Sequence, residues 1–255
     1  MAYPLQTHPD LDARRGPGRR PGELGRRAFD LVVATVLLLS TLPVIVLLAI
    51  GSAIALRAWP FFVQDRVGRD GETFRFLKIR TLPPQTNAYA DKYALAEVRI
   101  PRFTLLLRAL HLDELPQLLL VVLGHMSLVG PRPEMPTLHA ELPAELARTR
   151  VLVRPGVTGL WQVGVHCDGL IGEAPEYDSF YVAHQSLRLD LWILAQTARK
   201  VVRGGRGQVT LGDVPAWSAG ATGTASAHLD DVLIDLTGHV GADRVAGSSL
   251  EAQPA

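Results

Sequence analysis

Charge is absent from Leu31 to Leu56, an unbroken run of 26 residues in a chain of 255. At about 1.5 Å per residue this is roughly 39 Å of helix, more than the ~30 Å hydrocarbon core of a bilayer. A plain transmembrane span is the default reading, and two features argue against it. Pro43 stands near the centre, with Ser40 and Thr41 before it, where a missing backbone donor kinks a helix. Arginines also flank both ends, Arg26 and Arg27 before and Arg57 and Arg66 after, which the positive-inside rule does not allow for a span. Each half, Leu31 to Leu42 and Val44 to Leu56, reaches only about 18–20 Å. The pattern predicts a re-entrant membrane helix over residues 26–60 that returns both ends to one face, with Trp59, Phe61 and Phe62 at the interface.

Further along, Phe- and Val-rich runs flank Asp70-Gly71 between Phe61 and Thr81, which predicts a small β-hairpin. Leu82 to Arg99 reads as polar loop, then weak helix. Phe103 to Leu112 is apolar apart from Thr104, Arg108 and His111, so it is either buried or lies in a membrane surface with Arg108 reaching out of it. A short apolar helix follows from about Leu115 to Leu123, closed by Gly124. Leu138 to Arg150, acidic and alanine-rich, predicts a surface helix. Leu187 to Arg203 is amphipathic, with an apolar stripe suited to the core or to lipid.

The termini read differently. Residues 1–25 hold Arg14, Arg15, Arg19 and Arg20 among prolines without apolar periodicity, a disordered basic arm suited to anionic lipid and not a signal peptide. Residues 207–255 form a low-complexity, mostly disordered tail, leaving 61–206 as the main folded domain. The fold class expected is α+β, a mainly helical monotopic membrane protein with the re-entrant helix, the hairpin and interfacial amphipathic helices.

Composition supports membrane contact: 47% of residues are hydrophobic and only 20% charged. The single cysteine, Cys167, excludes an intramolecular disulfide. The eight histidines show no metal-ligand spacing. The basic residues bracket an apolar run and form no aromatic-interleaved stripe, which argues against a nucleic-acid binder.

The chemistry concentrates in Arg108 to Glu134. An acid pair, Asp113-Glu114, is flanked in sequence by Arg108 and by Arg132 of the turn Pro131-Arg132-Pro133. Guanidinium groups grip phosphate oxygens, and carboxylates hold a divalent metal or attack phosphorus. The same residues also fit a capped helix, with Asp113 as N-cap, Glu114 in the first turn and Pro116 tolerated there. Both readings stay open on the residues alone.

LDELPQL at 112–118 followed by MSLVGPRPE at 126–134 resembles the bacterial sugar transferase family, the monotopic polyprenyl-phosphate phosphoglycosyl transferases. Further matches run from about Arg27 to Arg206, including Gln64-Asp65-Arg66-Val67-Gly68 and VRPGVTGLWQV at 153–163. The resemblance implies transfer of a sugar-1-phosphate from a UDP-sugar to polyprenyl phosphate, with UMP released, as the first step of exopolysaccharide or other surface-glycan assembly. It implies Asp113 as nucleophile through an aspartyl-phosphosugar intermediate and Glu114 as ligand of Mg²⁺. It further implies Arg108, Pro131, Arg132 and Pro133 at the substrate phosphates and Lys78 and Arg80 in the cleft. A bacterial cytoplasmic membrane with the catalytic domain on its cytoplasmic face follows, and a homo-oligomer is compatible with it. Departures from the family pattern stand at Leu105, His111, His125 and His166, and those at Leu105, His125 and His166 keep alive a second reading, a catalytically lapsed membrane scaffold of a polysaccharide-synthesis complex. Further acids, Glu173 and Asp178, are available for a metal, and Trp161 reads as packing ahead of base stacking.

Overall fold

The computed structural model describes residues 22–86 and 98–218. Most of the predicted basic arm, part of the 82–99 loop and the tail from residue 219 lie outside them. The chain opens with α1, Glu23–Leu56, a single helix of 34 residues. It begins well before the uncharged run because its first two turns have a body to bind. Arg26 pairs with Asp190 (Nε to Oδ2, 2.6 Å) and donates to the Tyr181 hydroxyl. Arg27 donates to the carbonyls of Val121 and Val122. Asp30, buried, accepts from the Ser127 hydroxyl and from the Leu128 amide. Arg26 and Arg27, counted among the flanking cations on sequence, are therefore anchors to the protein.

α1 stays helical through Pro43, so the two expected halves form one element. The hydroxyls of Ser40 and Thr41 both donate to the Leu37 carbonyl, one turn before the proline that can donate nothing. Between its anchored ends, α1 exposes Val32, Val36, Leu39, Leu47 and Ile54. It is long and apolar enough to cross a membrane.

The hairpin forms as expected from β1, Phe61–Val67, and β2, Thr73–Ile79, paired antiparallel with Phe62 opposite Lys78. Asp70 and Gly71 take positive φ at its turn, the geometry a β-branched residue resists. The helix α2, Arg102–Ala109, packs against α1 where Gly51 leaves room for the Phe103 ring: a Cβ at Gly51 would stand 2.6 Å from Phe103 Cζ. α3 spans Gln117–Leu123 and ends at Gly124 with φ of 94°.

A second, two-stranded sheet was not anticipated. β3, Ser127–Val129, and β4, Gly156–Thr158, pair in parallel, with Ser127 opposite Gly156 and Val129 opposite Thr158. Two motifs separated in sequence thus become neighbours, and only glycine fits where they meet. A Cβ at Gly156 would stand 2.1 Å from the Gly130 nitrogen, and one at Gly159 2.1 Å from the Gly130 oxygen.

The expected surface helix at 138–150 is two short helices, α4 (Pro136–Ala140) and α5 (Ala144–Arg150), split where Pro143 stands ahead of the second. α5 is not wholly at the surface, since Arg150 is buried. α6 (Leu160–Val163), α7 (Pro175–Ala183) and α8 (Leu187–Val202) complete the body. Ser186 caps α8 by accepting from the Leu189 amide. Leu189 and Ile193 of α8 are fully buried, so its stripe finishes the core. Trp161 is buried in that core, as packing requires. The body also extends past residue 206: Val209 is buried and bridges to Gly164, so at least the first residues of the expected tail belong to the fold.

Candidate active site

Asp113 and Glu114 occupy a 3₁₀ turn, Leu112–Glu114, between α2 and α3. Asp113 is not the N-cap of α3. Pro116, which has no N–H needing a cap, holds that boundary itself and leaves the acids upstream in their own turn. His111 enters the turn in the left-handed region with φ of 55°, a strained conformation for a non-glycine residue that aims the next side chains inward. Asp113 is only 5% exposed.

Three cations, Arg132, Lys78 and Arg108, converge on this pair. Arg132 lies 3.5 Å from Glu114 (Nη2 to Oε1). Burial pushes the Glu114 carboxyl up, but Arg132, then Lys78 and His111, together hold it below its ordinary value. Asp113 goes the other way: burial and then its neighbour Glu114 raise it, against the pull of Lys78 and Arg108. Two adjacent carboxylates thus take different electrostatic characters, one strongly ionised and one more basic. Lys78, on β2, is drawn down from its ordinary 10.5 to about 8 by burial, with Asp113 and Glu114 resisting and Arg108 and Arg132 adding to the fall. Arg108, on α2, also reaches the Thr81 hydroxyl at 3.5 Å.

The turn carrying Arg132 is bonded at four successive carbonyls. Pro131 accepts from the Gly156 amide, Arg132 from Nη2 of Arg150, Pro133 from Nη1 of Arg66, and Glu134 from the Val67 amide. A guanidinium on such a turn starts from a fixed place, which is what stabilising a developing charge demands. Pro131 and Pro133 therefore shape the turn.

Of the predicted residues, Lys78, Arg108, Asp113, Glu114 and Arg132 come together. Arg80 stands apart: its Nε donates to the Trp59 carbonyl and its guanidinium lies over the Phe62 ring, 5.6 Å from the centroid. Of the two further acids, Asp178 is taken by an arginine and Glu173 lies exposed at a local turn. Asp178 is buried against Arg150 at 2.8 Å, and Glu173 accepts from the Leu170 amide. Sequence reasoning missed the pairing of Arg150 with Asp178, because their contact spans 28 positions and no motif announces it. Among the departures, His125 stacks on Phe74, His166 meets Tyr177 edge-on and Leu105 is exposed; only His111 bears on the acids.

The chain belongs to the bacterial sugar transferase family, whose model matches residues 22–204. It is an enzyme, a phosphoglycosyl transferase by family. Similar proteins include the exopolysaccharide production protein ExoY of Rhizobium meliloti, 34% identical over 198 residues covering 71% of this chain and 87% of that one. The UDP-galactose-lipid carrier transferase of Erwinia amylovora is 36% identical over 201 residues, 70% of this chain and 40% of that one. The UDP-N-acetylgalactosamine-undecaprenyl-phosphate N-acetylgalactosaminephosphotransferase of Aeromonas hydrophila is 31% identical over 188 residues, 70% and 44% of the two chains.

The position of Lys78 carries a pH prediction. Its charge is present below about 8 and lost above it, so kcat/KM for the donor should fall as pH rises through that value. Lys78→Arg, whose charge persists, should move that fall to higher pH. An unchanged alkaline limb in this variant would detach Lys78 from the reaction.

Proposed function

We propose that the protein transfers a sugar-1-phosphate from a UDP-sugar to polyprenyl phosphate, releasing UMP, at the membrane surface where a surface glycan is begun. The observation that carries this reading is the unequal acid pair, a buried, more basic Asp113 beside a strongly ionised Glu114, set among Lys78, Arg108 and Arg132. The names of the relatives, a UDP-galactose-lipid carrier transferase and an undecaprenyl-phosphate phosphotransferase among them, supply the substrates.

An Asp113 oxygen attacks the β-phosphorus of the donor. The bond from that phosphorus to the bridging oxygen breaks, and UMP leaves with the oxygen. An acceptor phosphate oxygen then attacks the same phosphorus, and the Asp113 carboxylate leaves unchanged. Arg108 and Arg132 hold the diphosphate oxygens and offset charge as it builds. The described residues hold no cluster of three metal-ligating side chains. One carboxylate together with substrate phosphates is nevertheless a donor set that Mg²⁺ takes, and Glu114 is the residue to hold it. When bound, the ion would neutralise diphosphate charge.

Incubation with a UDP-sugar and Mg²⁺ without acceptor should add the mass of one sugar phosphate to the protein, on the peptide containing Asp113. Release of UMP without any such adduct would overturn the covalent route.

The setting is a re-entrant helix on the cytoplasmic face of the bacterial inner membrane. The body bonds α1 at both ends of its uncharged run, through Asp30 to Ser127 and through Ser52 to the Arg80 carbonyl. Residues 22 positions apart on a straight span would stand about 33 Å apart, on opposite sides of a bilayer, and one body cannot reach both. Exposed Phe103, Leu105, Leu106 and Leu110 around α2 fit the lipid surface beside it. Cysteines introduced at Leu24 and Arg57, in a Cys167→Ser background, should both label from the cytoplasmic side. Labelling of either from the far side would mean a span.

A further inference from the structure

The C-terminal end of β2 brings Lys78 to the acids, and Arg80, just past that end, is bonded to α1 through its carbonyl. Lys78 and Arg80 are two positions apart, one near the end of β2 and one just past it, and both side chains reach the same neighbour. Both lie over one ring, that of Phe62, directly across from Lys78: Lys78 Nζ is 5.3 Å and Arg80 Cζ 5.6 Å from its centroid. Two like charges near one ring repel, and their counter-charges are unevenly shared. Lys78 feels Asp113 and Glu114. Among the described residues Arg80 pairs with no carboxylate; there its side chain meets the Trp59 carbonyl and the ring. The Arg80 backbone is tied to α1 by the Ser52 hydroxyl, and neighbouring Trp59 is 71% exposed just past the end of α1.

We infer that Arg80, Phe62 and Lys78 form the entry site for the phosphate of the lipid acceptor, with Arg80 the outer contact at the membrane margin and Lys78 the inner one beside Asp113. The inference rests on the proposed transfer to a polyprenyl phosphate. A lipid-borne phosphate arrives at headgroup depth, where interfacial aromatic residues sit, and the soluble donor does not. Arg80 is a cation with no carboxylate partner among the described residues at that margin. The step from Arg80 to Lys78 past one ring brings the phosphate to the acids.

The full-length protein in detergent allows two readouts. The first is binding of farnesyl phosphate, with farnesol and inorganic phosphate as controls for the chain and the anion alone. Arg80→Gln should weaken farnesyl phosphate binding about tenfold, the loss expected for one charge-assisted contact of ~1.4 kcal/mol, and Arg80→Lys should recover part of it. Phe62→Leu, which keeps the apolar volume but removes the ring, should also weaken it. The second readout is exchange of labelled UMP into UDP-sugar without acceptor, which reads the donor half-reaction. Arg80→Gln should raise the acceptor KM about as much as it weakens binding while changing this exchange less than twofold. Unaltered farnesyl phosphate binding in Arg80→Gln, or an equal loss in exchange, would overturn the acceptor site. Absence of exchange in the unsubstituted protein would overturn the donor reaction instead, leaving the binding result to decide the acceptor site.

Discussion

Asp113→Asn should lower turnover by on the order of 10³-fold or more, the scale seen when a nucleophile is removed, and should leave the fold intact or firmer. The first half of that result follows from chemistry: the amide is nearly isosteric but has no anionic oxygen with which to attack phosphorus. The second half follows from electrostatics. The folded-state pKa of Asp113 lies above its ordinary value because burial and Glu114 disfavour its charge. A carboxyl raised in this way stabilises the fold at low pH and loses that contribution as pH rises through the folded value. At neutral pH the ionised group is therefore a strain on the structure, and replacing it by a neutral amide relieves it. The melting temperature of Asp113→Asn at pH 7 should equal or exceed that of the parent. Glu114→Gln is the internal contrast. The charge of Glu114 is favoured by Arg132, Lys78 and His111, so that variant loses stability at neutral pH as well as activity. A drop in melting temperature for Asp113→Asn would contradict this account of the pair.

The largest loss of stability should come from Asp178→Ala. Asp178 and Arg150 pair at 2.8 Å with side chains only 2% and 4% exposed. Removing one partner strands the other charge out of water, which costs about 3–5 kcal/mol. For a chain of this size that corresponds to roughly 10 °C in melting temperature. The effect should reach the site, because Arg150 also donates to the Arg132 carbonyl. Once Arg150 is no longer held by Asp178, the turn that aims Arg132 loses one of its four supports. Thermal melts and donor kcat below the melting range check the two parts separately. Loss of stability with unchanged kcat would confine Arg150 to a structural role, and a melting temperature within a degree or two of the parent would contradict the pairing itself.

Much of this site is legible in the sequence because its parts are local. Asp113 and Glu114 are adjacent, Arg132 stands in a turn that two prolines enforce, and the hairpin placing Lys78 is announced by Asp70-Gly71 between apolar runs. The family resemblance then supplies roles that spacing alone leaves undecided between a capped helix and a phosphate site. What stayed hidden is long-range. Arg26 and Arg27 look like lipid-facing flanks until their partners, Asp190, Val121 and Val122, are seen across the fold. The parallel pairing of Ser127–Val129 with Gly156–Thr158 joins segments too short to show a strand period. The split at Pro143 and the burial of Arg150 defeat a reading of 138–150 as one exposed helix, since acidic and alanine-rich composition says nothing about which arginine finds a buried acid. Cap placement failed for a smaller reason: Asp, Glu and Pro in succession suit either a capped first turn or a separate 3₁₀ turn, and Pro116 decides it by taking the boundary.

The central claim is that these residues move a sugar phosphate from a nucleotide to a lipid. It is tested most directly by UMP release from a panel of UDP-sugars with Mg²⁺ and polyprenyl phosphate. Release that requires acceptor and metal for turnover and vanishes in Asp113→Asn is the result expected. Turnover at the parent rate in Asp113→Asn, or no release from any UDP- or GDP-sugar, would contradict it.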